Sequence, residues 1–271
     1  MLHFGNKRSA LTVMTISFSA PPINEVVVGK IFQPLSRLLV PYYGRFWELV
    51  QDEFPSCEHA PALTDQGSQP LIELVTGSIL PRVWFVSDDK TRLLQVQSDR
   101  FHCNWRQTDG TQTYTRFDAI YGQYQKYVDL FSTFVLGQIK AELVTQRCDL
   151  TYINVFRKGR EWETWGDLSG LFKNLRLPAD IAAGSIQGAL TQLQFGMPGG
   201  AGKVIVSVGS AKATATGEDV IRMELTASSS LPEPDSAWED AWFKKAHEAI
   251  VQSFCDLTTD EAQQAIWKRT E

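Results

Sequence analysis

A row of polar side chains on one predicted strand is the chain's clearest candidate for chemistry. In the segment RFHCNWR, His102, Asn104 and Arg106 alternate with three apolar residues. This period of two predicts a strand with one polar and one apolar face. Imidazole, amide and guanidinium groups together donate and accept hydrogen bonds, so the pattern is typical of a surface that binds a polar ligand.

The neighbouring segment RLLQVQ extends this row onto a second predicted strand. The candidate binding residues are Arg92, Gln95, Gln97, Arg100, His102, Asn104 and Arg106. Two interpretations are open, because antiparallel sheets often leave one face in water. The row is either a recognition surface on an open sheet or an ordinary solvated outer face. Both interpretations require that helices cover the opposite, apolar face.

Two tryptophans form a second candidate for contact with a partner. Trp162 and Trp165 lie in REWETWGDL, an irregular segment of mixed charge. Loops often carry binding residues on a rigid scaffold, so we expect an exposed contact here. Packing within the loop is the alternative, since tryptophan has a large apolar surface to bury.

Catalytic and metal-binding motifs are not recognisable in this chain. His102 or His247 beside a carboxylate would supply the general base of a small hydrolase. H-E-x-x-H and G-x-S-x-G segments are absent, and GMPGGAGKV precedes a predicted strand, unlike a phosphate-binding loop. The four cysteines are widely spaced. We therefore predict no metal, no cofactor, and reduced, mostly buried thiols.

The net charge of the chain indicates which classes of partner are disfavoured, and the apolar segments indicate where the protein is located. The 271 residues include 26 basic and 31 acidic ones, which gives a net charge of −5. Such a chain has no overall attraction to nucleic acid or to anionic membranes, which disfavours both as partners. Thr and Ser interrupt the apolar stretch near the N-terminus, and no run is long enough to span a membrane. We therefore predict a cytoplasmic protein.

Hydrophobic periodicity predicts the same order of elements in both halves of the chain. The first half has a strand at 24–32, a helix at 41–55, strands at 82–87, 92–97 and 100–108, and a helix at 118–140. Residues 56–70 are predicted as a loop and 71–77 as a short strand. The second half has a strand at 148–156, a short helix near 167–175, strands at 185–195, 203–214 and 219–228, and a helix from 236.

This order predicts an α+β fold in which one long twisted antiparallel sheet has its helices packed on one face. Neither meander buries a face by itself, so the two halves are expected to share one sheet. We predict one domain with halves at 21–145 and 146–271, and an N-terminal extension or extra strand at 1–20. An exposed edge strand there would allow a homo-oligomer to form.

The segments PPINEVVVG, RFHCNWR, CDLTYIN and DLTTDEAQQAIW carry a family resemblance. From about residue 21 to the end, the chain resembles a sporadically distributed family of uncharacterised prokaryotic proteins. The resemblance implies a single conserved unit and brings no activity, cofactor or catalytic residue with it. The scattered occurrence is similar to that of accessory genes, which implies by association a role in bacterial defence or in a toxin–antitoxin system.

Three functional hypotheses follow from these observations. The first is a non-catalytic binding protein that recognises a protein partner. The second is a nucleic-acid or nucleotide binder that uses the polar sheet face, with Arg92, Arg100 and Arg106 as phosphate contacts. The third is a small hydrolase with a histidine general base.

Overall fold

The computed structural model describes residues 16–63, 82–110, 112–173, 175, 177, 180–181, 184–213, 216–230 and 236–270. Most of the described strands join one nine-stranded antiparallel sheet, and helices cover one of its faces. The predicted α+β class is therefore confirmed.

The elements follow the predicted order in both halves. The first half contains β1 (Ser17–Phe18), β2 (Ile23–Phe32), α1 (Val40–Val50), β3 (Ser56–Ala60), β4 (Arg82–Val86), β5 (Arg92–Gln97), β6 (Arg100–Arg106) and α2 (Phe117–Phe134), which a π-helical turn continues over Val135–Ile139. The second half contains β7 (Thr145–Arg157), α3 (Leu168–Leu171), β8 (Asp180–Ile181), β9 (Gly184–Ser185), β10 (Leu190–Gly196), β11 (Gly202–Lys212), β12 (Asp219–Ser229), α4 (Ser236–Leu257), α5 (Asp260–Ala265) and β13 (Arg269–Thr270). Short 3₁₀ turns lie at Trp165–Asp167 and Pro198–Gly200.

The strand order of the large sheet is β10-β11-β12-β7-β2-β6-β5-β4-β3. The first long strands of the two halves, β2 and β7, pair with each other at the centre. Each of them then pairs on its other side with the last meander strand of its own half, β6 or β12. The order of elements is therefore symmetric about the β2–β7 pair, while the domain boundaries proposed from the sequence stay a prediction.

Alternate residues of the central strands pack against the helices. Phe101 of β6 stacks on Phe131 of α2 at 5.3 Å between ring centroids, and Phe46 of α1 contacts the same ring at 5.1 Å. Trp105 is 5 % exposed on this side of the sheet. A fully buried aromatic or aliphatic side chain contributes roughly 1.5–3 kcal/mol, so this layer stabilises the pairing of sheet and helices.

Two local predictions differ from the structure or lie outside it. Residues 56–60 form the edge strand β3, although their composition predicts a loop. Backbone pairing with β4 holds this strand, and its exposed side chains need no apolar alternation. At the N-terminus, β1 pairs with β13 in a separate two-stranded sheet. Residues 1–15 and the strand predicted at 71–77 lie outside the described residues.

Candidate binding groove

The sheet face opposite the helices contains two adjoining cavities of about 720 Å³ and 740 Å³. Glu25, Arg106, Ile153 and Arg222 line both of them. The two cavities therefore form one depression across β2, β6, β7 and β12, which we name the open-face groove.

The polar row of β6 faces this groove, as the alternation predicts. His102, Asn104 and Arg106 line the groove, while Trp105 lies in the core. The row is not solvated, however, since Asn104 is 3 % exposed and His102 is 7 % exposed. Arg106 is half-buried. His102 and Asn104 are therefore withdrawn from water, and the interpretation as a plain solvated face is wrong for these two residues.

Hydrogen bonds fix the buried amides of the groove floor. Gln95 Nε2 donates to Asn104 Oδ1 at 2.8 Å, and Asn104 Nδ2 donates to Glu25 Oε1 at 2.6 Å. Arg82 Nη1 and Trp84 Nε1 both donate to Gln95 Oε1. Buried polar groups need such partners, because each unpaired group costs the free energy of its lost hydration. The network therefore presents its side chains in fixed orientations.

Burial also changes the protonation of this network. It raises the pKa of Glu25 above the usual value, although the bond from Asn104 and the charges of Arg106 and Arg222 lower it. A carboxyl group with a raised pKa takes up a proton more readily when further water is removed. Glu25 therefore takes up a proton at a higher pH than an ordinary glutamate does.

A second cluster holds two other predicted residues in place. Arg100 donates to both carboxylate oxygens of Asp99, at 3.0 Å and 2.7 Å. Gln97 Nε2 donates to Asp99 Oδ1 at 2.8 Å, and Gln97 Oε1 accepts the backbone N–H of Leu63. Arg100 is thus engaged by a carboxylate, which disfavours the phosphate contact predicted for it.

His102 lies across a glycine of the neighbouring strand. A Cβ atom added to Gly29 would lie 1.8 Å from His102 Cδ2. Burial, together with the charges of Arg100 and Arg82, lowers the pKa of His102 to about 3. Its Nδ1 has no hydrogen-bond partner among the described residues. The ring is therefore a neutral group with a free nitrogen beside the groove.

The groove concentrates positive charge in an acidic chain. The described lining includes nine basic residues, Arg82, Lys90, Arg100, Arg106, Arg147, Arg157, Lys203, Lys212 and Arg222. It includes four acidic residues, Glu25, Asp109, Asp149 and Glu224. The whole chain has 26 basic and 31 acidic residues, so the sign of the charge reverses in the groove. This separation favours an anionic ligand.

Some of these cations are not neutralised by the protein. Arg147 contacts Asp149 at 3.0 Å, and Arg222 contacts Glu224 at 2.5 Å. Within the described part of the chain, by contrast, no salt bridge forms at Arg106, Arg157 or Lys203. Arg82 and Lys90 form no salt bridge there either, although Arg82 already donates to Gln95 Oε1. Arg106, Arg157 and Lys203 are therefore among the cations that remain available to a ligand.

Arg92 does not belong to the groove, and its assignment to the polar row is wrong. It pairs with Trp105 across β5 and β6, so its side chain lies on the helix side of the sheet. There Arg92 Nη1 contacts Glu53 Oε2 at 3.1 Å, and its guanidinium lies over the Phe54 ring at 5.3 Å. The two-residue period places Arg92 on the face of Leu94, opposite Gln95.

The tryptophan pair is also remote from the groove. Trp162 is 6 % exposed, and its Nε1 donates to the carbonyl oxygen of Phe156 at 3.0 Å. Its ring contacts that of the half-buried Trp165 at 5.8 Å. The exposed contact expected at Trp162 is therefore wrong, because both rings pack onto the end of β7 and the adjoining core.

The second histidine proposed as a general base lies on the helix side of the sheet. His247 Nδ1 is 3.0 Å from the hydroxyl of Tyr152, which lies 3.0 Å from the hydroxyl of Tyr114. The imidazole stacks on Phe117 at 4.3 Å, and burial lowers its pKa to about 4. A separate cavity of about 490 Å³ adjoins these residues.

Sequence reasoning missed the contribution of β7, β11 and β12 to the groove. Arg147, Asp149 and Arg157 occupy alternate positions of β7 and face the groove. Their alternation with buried residues was visible in QRCDLTYINVFR. The alternation could not be assigned to the groove without the pairing of β7 with β2, which places β7 on the other side of β2 from the polar row of β6.

Predictions from the sequence also concern the cysteines, possible metal ligands and helices of the described residues. Cys103, Cys148 and Cys255 are buried free thiols and Cys57 is exposed, in agreement with the prediction of mostly buried thiols. The described residues include no group of three or more His, Cys, Asp or Glu side chains placed to hold a metal ion. Helices in the same part of the chain are too short or too polar to cross a bilayer.

Comparisons with known proteins give no match: no family model fits the chain, and no curated protein or solved structure matches it. The resemblance described above therefore stays a prediction.

Proposed function

We propose that this protein is a binding protein that recognises a protein partner through the open-face groove. The observation that carries this proposal is the reversal of charge, since the groove is basic in an acidic chain. The available cations Arg106, Arg157 and Lys203 favour an acidic segment of the partner. The buried amide network beneath them favours a ligand that offers its own hydrogen-bonding groups, as an extended polypeptide does.

A protein segment fits the groove better than a nucleic acid does. Single-stranded nucleic acids are held by stacking of bases on aromatic rings, and double helices by arrays of phosphate contacts. Trp84 is the single Phe, Tyr or Trp residue in the described lining, and Gln95 and Arg82 already contact it. Glu25, Asp149 and Glu224 would also lie against a continuous phosphate backbone. An acidic polypeptide segment needs no stacking on aromatic rings, and neutral backbone groups separate its carboxylates, so it has no continuous charged backbone to lie against these acids.

The low pKa values of the two histidines disfavour the hydrolase alternative. A general base works best when its pKa lies near the working pH. Burial lowers the pKa of His102 to about 3 and that of His247 to about 4. Both rings are weak bases at neutral pH, so binding is the better proposal for this groove.

Charge reversal within the groove tests this proposal. The groove variant is Arg106→Glu/Arg157→Glu/Lys203→Glu, and the probes are a labelled glutamate-rich peptide, its lysine-rich counterpart and a single-stranded DNA. We expect the wild-type protein to bind the acidic peptide in preference to both other probes. Three lost contacts of about 0.5–1 kcal/mol each predict at least about tenfold weaker binding in the variant.

A matched control changes the net charge equally outside the groove. Arg37, Lys244 and Lys245 are exposed, and Lys244 and Lys245 lie on α4, on the other side of the sheet. The variant Arg37→Glu/Lys244→Glu/Lys245→Glu should keep the wild-type affinity. Preference for DNA over the acidic peptide would support the nucleic-acid alternative instead. Equal loss in both variants would show only a nonspecific charge effect and would contradict the proposal.

The resemblance adds a narrower prediction, that the partner belongs to a bacterial defence or toxin–antitoxin system. Co-expression of this chain with the products of its flanking genes, one at a time, tests that prediction. A specific complex that the groove variant loses and the control variant retains would support it. A complex that both variants retain would place the recognition surface elsewhere.

A further inference from the structure

The two edges of the nine-stranded sheet differ in their protection. Exposed edge strands present unpaired backbone groups, and natural proteins usually protect them with charges or prolines. The edge strand β3 carries Glu58 and lies between Pro55 and Pro61. The opposite edge strand, β10, contains neither a charged residue nor proline, and no charged residue occurs over 181–202. Of these two edge strands, β10 is therefore the one that carries no charged residue.

Apolar side chains of β10 are exposed to an unusual degree. Leu190 is 78 % exposed, Leu193 38 % and Phe195 41 %. Leu193 and Phe195 pair with the buried Val206 and Val204 of β11. These two side chains therefore continue the apolar, helix-side face of the sheet to its edge.

Hydrogen bonding shows which residues of β10 have free backbone groups. The N–H of Met197 donates to Gly202 O at 2.8 Å, and the N–H of Ser210 donates to Ala189 O at 2.9 Å. In antiparallel pairs the bonded residues alternate, so odd-numbered residues from 189 to 197 point their backbone groups toward β11. The even-numbered residues, from Leu190 to Gly196, therefore point theirs outward.

We propose that β10 pairs antiparallel with β10 of a second copy of this chain, which makes a two-fold dimer with one continuous sheet. A register centred on Leu193 uses the whole strand. It places the outward backbone N–H and C=O groups of one copy opposite those of the other, and Gln192 faces Gln194 of the second copy. Leu193 then faces Leu193, and Thr191 faces Phe195, a favourable β-branched and aromatic pair. The uncharged edge brings no repulsion between identical strands.

A second copy is favoured over an unrelated strand because this register is self-complementary over all of β10. The dimer would also place the two open-face grooves on the same side of the joined sheet, since Gln192 lines the groove at this edge. The inference does not depend on the proposed function, because it rests on the edge strand alone.

Substitution of the facing glutamines by charged residues tests the dimer. We expect light scattering after size exclusion to give twice the chain mass for the wild-type protein. Gln192→Lys/Gln194→Lys and Gln192→Glu/Gln194→Glu should each give the single-chain mass, because like charges then face each other. Mixing the two variants should restore the dimer mass. A monomeric wild-type protein at high concentration, or dimers in both separate variants, would overturn the proposal.

A cysteine cross-link tests the register. A non-hydrogen-bonded antiparallel pair has Cα atoms about 4.5 Å apart, within the range of a disulfide. In a Cys57→Ser background, which removes the exposed thiol, Leu193→Cys should form a covalent dimer on mild oxidation. Leu190→Cys is the control, since it faces Gly196 and is the more exposed position. Equal cross-linking of both variants, or of neither, would contradict the register.

Discussion

Lys30 of β2 and Glu239 of α4 form a salt bridge of 2.6 Å on the helix side of the sheet. Their side chains are only 14 % and 15 % exposed, and the hydroxyl of Tyr124 donates to the same carboxylate at 2.9 Å. The pair links the central strand of the sheet to the helix of the second half. It therefore joins the two halves of the chain through largely buried charges.

Glu239→Gln should lower the free energy of unfolding by about 3 kcal/mol, because it leaves the Lys30 ammonium largely buried without a counter-charge. Urea denaturation measures this change. Lys126→Gln removes the much more exposed ion pair with Glu53 and should cost less than about 1 kcal/mol. Similar losses in both variants would mean that burial does not distinguish the two pairs.

Gly29→Ala should destabilise the protein, since the added Cβ would lie 1.8 Å from the buried ring of His102. Overpacking of this kind typically costs about 1–3 kcal/mol. Thermal and urea unfolding should show the loss. The control is Gly122→Ala in α2, where nothing lies within 4 Å of the added Cβ and helix propensity favours alanine.

A double variant tests whether His102 causes the loss at Gly29. In Gly29→Ala/His102→Ala the imidazole is absent, so the two effects should be less than additive. Additive losses would show that the cost arises from the backbone of β2 and not from the contact between the two side chains.

Stability should fall as the pH decreases from about 6.5 toward 3, because burial lowers the pKa of His102 to about 3. In this window the unfolded chain binds a proton at His102 that the folded protein does not bind. The slope from this residue is up to about 1.4 kcal/mol per pH unit. Urea denaturation of the wild-type protein and His102→Asn at pH 7, 6 and 5 measures it.

His247 contributes in the same direction, since burial lowers its pKa to about 4. His247→Asn should therefore also flatten the pH dependence, and the double variant should flatten it further. An unchanged slope in His102→Asn would mean that this ring takes up its proton in the folded protein near the ordinary pKa.

Arg92 and Arg157 should separate stability from binding, because they lie on opposite faces of the sheet. Arg92→Gln loses the contacts with Glu53 and Phe54 and should cost about 1 kcal/mol of stability with no change in affinity for the acidic peptide. Arg157→Gln should weaken peptide binding and leave the urea midpoint nearly unchanged. Weaker peptide binding by a fully folded Arg92→Gln protein would contradict the assignment of Arg92 and Arg157 to opposite faces of the sheet.

The sequence alone determined the central strands, the long helices and the two faces of β6. A period of two is local, so it placed Trp105 in the core and His102 on the opposite face before any neighbour was known. The same rule, applied to RLLQVQ, would have placed Arg92 with Leu94. The exposed edge strand β3 escaped prediction because its residues bury no face that would impose a pattern.

Only the tertiary structure decided what surrounds the polar row. The pairing of β2 with β7 brings Arg157 into the lining of the same cavity as Arg106, and β11 and β12 add Lys203 and Arg222 to the groove, although these residues are far apart in sequence. The chain's composition shows an acidic protein and hides a basic groove. Strand pairing between distant segments depends on long-range contacts, whereas periodicity reports only how one strand divides its side chains between two faces.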